Sequence, residues 1–269
     1  MAITVAAGYN IPAMTAALRS DALLFYAVAT TSLLESAVSV TVERLGSLFA
    51  DDPAVRRWLV DVWLPDELAH GRMTRSYVED VWPEFKWVPA FAEFLVRYEP
   101  RRAAERWHPS LAMEALARCV TESEAAMFYH CLGSYTTDPA LRALFQRMRT
   151  DEERHYEYFS ELFDRYQAQA RVGVLARLRA VLKRSAGLRD EDLACSFAPL
   201  NAHWAGPKPF AELTYRQYLE RAGWLIRQFL PKDDVARMLY GPVRTATFVD
   251  RPLAAMLSVM VRRQYPNAA

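Results

Sequence analysis

Two segments of this chain carry the same residues in the same order. "ESAVSVTVERLGSLFADDPAVRRWLVDVWLPDELAH" starts at Glu35, and "ESEAAMFYHCLGSYTTDPALRALFQRMRTDEERH" starts at Glu122. Each opens on a Glu inside an apolar helical pattern, and each carries Leu-Gly-Ser ten residues on, at Leu45 to Ser47 and Leu132 to Ser134. Each then breaks at Asp-Pro-Ala, followed by an aliphatic residue and Arg, at Asp52 to Arg56 and Asp138 to Arg142. Each ends in Asp-Glu-x-x-His, at Asp66 to His70 and Asp151 to His155. The first Glu precedes the Glu of Glu-x-x-His by 32 residues in one copy and 30 in the other. Self-similarity of this kind marks a duplicated supersecondary unit.

Geometry gives the unit a meaning. Glu and His at i and i+3 share one helix face, one turn apart. The Asp-Pro break folds each copy into an antiparallel helical hairpin. At 1.5 Å per residue, Glu35 lies about 26 Å before the break and Glu67 about 21 Å after it, so the two sit at similar heights. Two such hairpins make a four-helix bundle. Its centre receives one Glu from each of two helices (Glu35, Glu122) and a Glu-x-x-His from each of the others (Glu67/His70, Glu152/His155). That is the ligand set of carboxylate-bridged di-iron and di-manganese bundles. Four carboxylates balance two divalent cations, and a set of oxygen and imidazole donors without thiolate suits Fe or Mn better than structural Zn. Without metal the same carboxylates would be costly to bury.

Each motif has a plainer reading. A lone Glu67/His70 pair would be an ordinary surface pair, and the run Asp151 to His155 a solvated face held by i,i+4 ion pairs. It is the second copy that favours the metal. Glu122 is preferred over Glu124 because Tyr129 falls seven residues later on its face; Glu124 is the alternative. Glu153 and Arg154 read as a solvated pair or one behind the ligands. His108, His130 and His203 read as structural or exposed, and Trp58, Trp63, Phe128, Tyr129, Tyr156 and Phe159 as core.

Composition agrees with an all-α chain: 269 residues, 52% apolar, with only 9 glycines. A net charge of +1 gives no general case for nucleic-acid binding. Cys119, Cys131 and Cys195 form no CxxC pair, and their odd number argues against a disulfide framework, so a reducing cytoplasm is the expected compartment. "MAITVAAGYNIPAM" lacks the basic start of a signal peptide, and no apolar run reaches the roughly 18 residues of a membrane span. The patterns predict helices over about Pro12 to Phe49, Pro53 to Val81, Ser110 to Tyr135 and Pro139 to Gln169, with a short helix after Pro89. A basic amphipathic helix is expected over Arg171 to Ser185, an irregular stretch over Ala186 to Pro209, and helices over Phe210 to Phe229, Lys232 to Leu239 and Pro252 to Arg263. Residues 1–170 would form the bundle, and 171–269 would pack on it as part of one compact domain.

At these motifs the chain resembles the ferritin-like di-iron superfamily, and within it the soluble acyl-carrier-protein desaturases. "WLPDELAHGRMTRSYV" is similar to that family's Trp-x-x-Glu-Glu-x-x-His-Gly segment. The stretch from "TESEAAMFYHCLGSY" to "DEERHYEYF" is similar to its second metal-binding hairpin. The likeness spans roughly Leu33 to Tyr166. It departs from the pattern at Ala125, where many desaturases carry Thr near the oxygen site.

The resemblance implies Glu35, Glu67, His70, Glu122, Glu152 and His155 as ligands of two Fe ions, or of Mn, with Glu67 and Glu152 bridging. Asp66 and Asp151 would accept from the ligand histidines. It further implies an O2-dependent oxidase that desaturates or hydroxylates an acyl chain held on an acyl carrier protein or a related natural-product intermediate. Electrons would come from a ferredoxin or flavin reductase, and the protein would be a homodimer. A di-iron N-oxygenase is the close alternative; a ferritin- or rubrerythrin-like iron or peroxide handler is the non-catalytic one. The basic run Arg171, Arg177, Arg179, Lys183 and Arg184 is either a solvated face or a dock for an acidic partner.

Overall fold

Asp21 interrupts the first apolar stretch. Its carboxylate accepts the Leu24 amide hydrogen bond at 3.0 Å and caps a new helix. A second break falls at Ala37. The single helix expected over Pro12 to Phe49 is therefore three: α1 (Ile11–Ser20), α2 (Ala22–Ser36) and α3 (Val38–Leu48), with a bend of 43° between the last two. The computed structural model describes residues 11–104, 108, 110–187, 193–230 and 238. The expected helices Lys232 to Leu239 (apart from Met238) and Pro252 to Arg263, and the first ten residues, lie outside them.

The Asp-Pro signals act as expected. Asp52 caps α4 (Pro53–Trp58) by accepting from the Val55 amide, and a π turn (Leu59–Trp63) leads on into α5 (Leu64–Val81). Asp138 caps α8 (Pro139–Ala170) by accepting from the Ala140 amide, directly after α7 (Leu111–Tyr135). Two helices exceed the sequence expectation. The Trp- and Pro-rich connection is a full helix, α6 (Trp87–Ala104), and the stretch read as irregular contains α10 (Leu193–Ala202). Pro100 and Pro199 sit in the C-terminal portions of these helices, where the missing amide removes a single ladder bond. α9 (Val174–Gly187) and α11 (Tyr215–Phe229) complete the described chain.

The fold is all-α and bundle-like. α2 packs along α5, α7 along α8, and α5 against α8. α9 lies on α7, α10 on α6 and α2, and α11 on α7 and α2. Among the described residues the one β contact is an isolated bridge between Phe85 and Trp204, which pins "HWAGPKPF" to the start of α6. Trp204 and Phe210 then pack on Phe25 of α2, with ring centroids 4.9 and 5.0 Å away. No single described helix is long and apolar enough to cross a membrane. Only the bent α2–α3 pair passes that test together, and residues 22–33 of it are buried.

The apolar interior comes in two bodies. One gathers α1, α2, α6, α10, α11, the C-terminal part of α7 and the N-terminal part of α8, around Phe25, Leu33, Tyr129 and Phe145. The other gathers α3, α4, the N-terminal part of α7, the C-terminal part of α8 and α9, around Val42, Leu59, Leu116 and Phe159. A layer of acidic and imidazole side chains runs between them.

Candidate metal centre

The two copies reach that layer by different backbone routes. From Pro139 to Glu152 is 13 residues of unbroken helix, but from Pro53 to Glu67 is 14. One extra residue would swing Glu67 by about 100° around a regular α-helix. The π turn Leu59–Trp63 widens the helix by one residue and absorbs the excess. From Glu35 to Pro53 is likewise one residue more than from Glu122 to Pro139, and here the first copy breaks at Ala37 where α7 runs straight through. The close approach of α2 and α5 has its own cause. Gly71 faces Ser36, and a Cβ on it would stand 2.6 Å from the Ser36 Oγ and 2.8 Å from its backbone N.

All six expected ligands meet. Glu67, Glu122, Glu152 and His155 offer donor atoms within 4.8 Å of one another, and so do Glu35, Glu67 and His70. Glu67 belongs to both groups. Glu152 also reaches across, with one oxygen 3.2 Å from His70 Nδ1 and the other 3.4 Å from His155 Nδ1. His155 Nδ1 lies 3.1 Å from Glu67 and 3.8 Å from Glu122. All are buried except Glu35, which keeps partial exposure.

The outward nitrogens are held in a crossed pattern. His70 of α5 turns its Nε2 to Asp151 of α8 at 3.2 Å, and His155 of α8 turns its Nε2 to Asp66 of α5 at 3.3 Å. A carboxylate accepting at Nε2 fixes the proton there and leaves the Nδ1 lone pair pointing inward. Arg154, half of it in solvent, bridges the two aspartates, contacting Asp151 closely and Asp66 at 3.4 Å.

Four buried ligand atoms in this layer, Glu67 Oε1, Glu122 Oε1, Glu152 Oε1 and His70 Nδ1, make no well-formed hydrogen bond, although Glu152 Oε1 faces His70 Nδ1 at 3.2 Å and Glu67 Oε1 faces His155 Nδ1 at 3.1 Å. Buried acceptors this poorly satisfied are rare inside proteins, because each gives up its hydration for little return. Their convergence is what divalent cations would satisfy. As protein groups alone, they settle their charge with protons. Burial, then the charge of Glu67, pushes the Glu35 carboxyl well above its ordinary pKa; burial, then Glu152, does the same for Glu122. Burial by itself would lower both histidines, but Asp151 and Glu152 raise His70 to about 10, and Glu152 and Glu67 raise His155 to about 12. Burial would likewise raise Glu152, yet His155 and His70 hold it well below the usual carboxylate range. A bound cation replaces such protons.

Glu124 is half-buried and outside both groups, so the preference for Glu122 agrees with the geometry. Glu153 accepts from Arg149 at 3.0 Å, and Arg149 also donates to His130 Nδ1. His203 pairs with Glu93 at 2.8 Å, and His108, half-buried, donates its amide to Glu114. Trp63, Tyr129, Tyr156 and Phe159 are buried, while Trp58 and Phe128 pack at the margins of the apolar bodies. The basic run divides. Arg177 is buried and Arg184 donates to Thr121 of α7, which leaves Arg171, Arg179 and Lys183 in solvent. Reading the sequence did not reveal the bond that the Tyr129 phenol donates to Glu35; the seven-residue spacing from Glu122 was its only trace. Comparison with family models, characterised proteins and solved structures gives no match.

Proposed function

We propose that this protein is an O2-dependent non-heme di-iron oxidase on a ferritin-like four-helix bundle. The observation that carries the proposal is the convergence of six carboxylate and imidazole side chains from α2, α5, α7 and α8 in one layer between the apolar bodies. Glu35, Glu67 and His70 would hold one ion and Glu122, Glu152 and His155 the other, with Glu67 and Glu152 shared. When bound, a reduced iron pair with O2 supplies an oxidant able to attack an unactivated C–H bond or an amine nitrogen. The chain's own part is positional. Asp66 and Asp151 keep protons on the outward histidine nitrogens and aim the inward ones. The apolar bodies on either side exclude water from the layer.

The substrate class follows from the likeness to desaturases: a long acyl chain on a carrier protein, or a related intermediate that is hydroxylated or N-oxygenated. Product mass separates these outcomes, as loss of two hydrogens or gain of one oxygen. Arg171, Arg179 and Lys183 are the exposed cations of the basic run that would meet an acidic carrier or a ferredoxin-like donor. An iron-storage role is disfavoured by α9, α10 and α11, which pack on the ligand helices beyond what a storage bundle needs.

The test is metal analysis with optical and Mössbauer spectra of the reduced, iron-loaded protein before and after O2. Two irons per chain that react with O2 are expected. Fewer than two in fully reconstituted protein, with content unchanged by Glu67→Ala or Glu152→Ala, would overturn the reading.

A further inference from the structure

The internal repeat allows each half of the centre to be compared with its counterpart, and the halves differ in three ways. Glu122 is buried, while Glu35 is partly exposed. Glu122 lies in the middle of the unbroken helix α7, whereas Glu35 lies two residues before the break at Ala37. Finally, Tyr129 donates its phenol to Glu35 Oε1. Tyr129 stands seven residues after Glu122, and seven residues after Glu35 the chain has Val42, which has no polar side-chain atom to offer Glu122.

Each difference acts in one direction. Burial strengthens the attraction of a carboxylate for a divalent cation. A donor on a straight, packed helix is held in place, while a donor beside a break moves at lower cost. A phenol bonded to one carboxylate oxygen occupies one of its lone pairs and draws electron density from the group. Glu67 and Glu152 reach both halves, so the difference rests on Glu35 against Glu122.

We infer that the two metal positions are unequal. The Glu122/His155 position fills first and tightly; the Glu35/His70 position fills second, weakly, and is where an ion is gained and lost, with Tyr129 setting its affinity. This rests on the metal reading above, but it can fail separately.

The test is titration of the full chain with Mn2+ alone, followed by calorimetry and EPR. The first equivalent should give a mononuclear Mn2+ spectrum, and the second should replace it with a coupled one. The two dissociation constants should differ by about tenfold or more, which is about 1.4 kcal/mol. Glu35→Gln should remove the weak step and leave one tight equivalent, whereas Glu122→Gln should weaken the tight step. Tyr129→Phe should tighten the weak step about fivefold, the scale of one net hydrogen bond, and leave the tight step in place. Circular dichroism on each variant separates misfolding from lost binding, and the wild-type titration needs no variant. Two equal steps, loss of the tight step in Glu35→Gln, or unchanged constants in folded Tyr129→Phe would overturn the inference. A folded wild-type chain that binds no Mn2+ would instead overturn the metal centre itself.

Discussion

Gly71 and Ser36 follow His70 and Glu35 directly, so the distance between α5 and α2 at this one contact sets how closely those two donors approach. A methyl group at Gly71 would have to push on the Ser36 backbone, not only on a flexible side-chain tip. Gly71→Ala should therefore cost about 1–3 kcal/mol in urea unfolding, the usual range for overpacking, and should weaken metal binding as well. Gly46→Ala is the control. Nothing lies within 4 Å of a Cβ there, and it sits inside α3. It should stabilise the chain by about 0.5–1 kcal/mol, the ordinary gain of Ala over Gly in a helix. The aspartates behind the histidines make a second residue-level case. Because they are crossed, Asp151→Ala releases His70 of the other hairpin while Glu152, its own neighbour, stays in place. Its expected signature is a loss of metal affinity of about 10- to 100-fold, read by calorimetry, with secondary structure unchanged.

At the level of elements, the π turn and the Asp52 cap both give predictions. If Leu59–Trp63 exists to absorb one surplus residue, deleting Val60 should convert it to α-helix and keep Glu67 in register with Glu152. The deletion variant should then fold and bind metal. A one-residue deletion between Pro139 and Glu152, where there is no surplus, should abolish binding; the same loss in both would refute the register argument. Asp52 caps α4 and also accepts from Arg165 at 2.6 Å and Tyr166 at 2.9 Å on α8. Burial alone would raise its pKa, but the Val55 amide, Tyr166 and Arg165 lower it below its ordinary 3.8. A depressed carboxyl stabilises the fold above its unfolded pKa and loses that contribution as pH falls through the folded value. Asp52→Ala should accordingly cost about 0.5–2 kcal/mol at pH 7, and the gap to wild type in urea unfolding should narrow below about pH 4. Both features show what the sequence can disclose. The Asp-Pro caps and the Glu-x-x-His spacing were legible because each rests on a specific local bond or a fixed helical periodicity. The breaks at Asp21 and Ala37 were not, since the apolar pattern runs across both. α6 and α10 were hidden because Pro100 and Pro199 look like stops, although both helices run through their prolines.

At the scale of the whole molecule, a polar layer cuts an otherwise apolar interior in two. The six residues of this layer could be picked out from the repeat, because two imperfect copies of one unusual residue set are hard to explain by packing alone. The division of the core could not, since it depends on which residues of different helices stack at one height. Such a layer weakens a fold that lacks its cation. Buried carboxylates with orphaned oxygens contribute little to stability, and apolar residues of similar volume are often neutral or stabilising in their place. A cation that binds only the folded chain reverses this, adding about 4 kcal/mol at a concentration a thousand times its dissociation constant. The two effects can be separated in one variant. Glu122→Met removes a buried carboxyl whose Oε1 has no hydrogen bond and continues the apolar surface of α7, where buried Cys119 and Ala126 flank Glu122 on its own face. With chelator present, the variant should melt at or above the wild-type temperature. With Fe2+ or Mn2+ added under anaerobic conditions, wild type should rise by several degrees and the variant by much less, so that their order reverses. A variant less stable than wild type even in chelator would mean that Glu122 is a structural group whose partner is part of the fold.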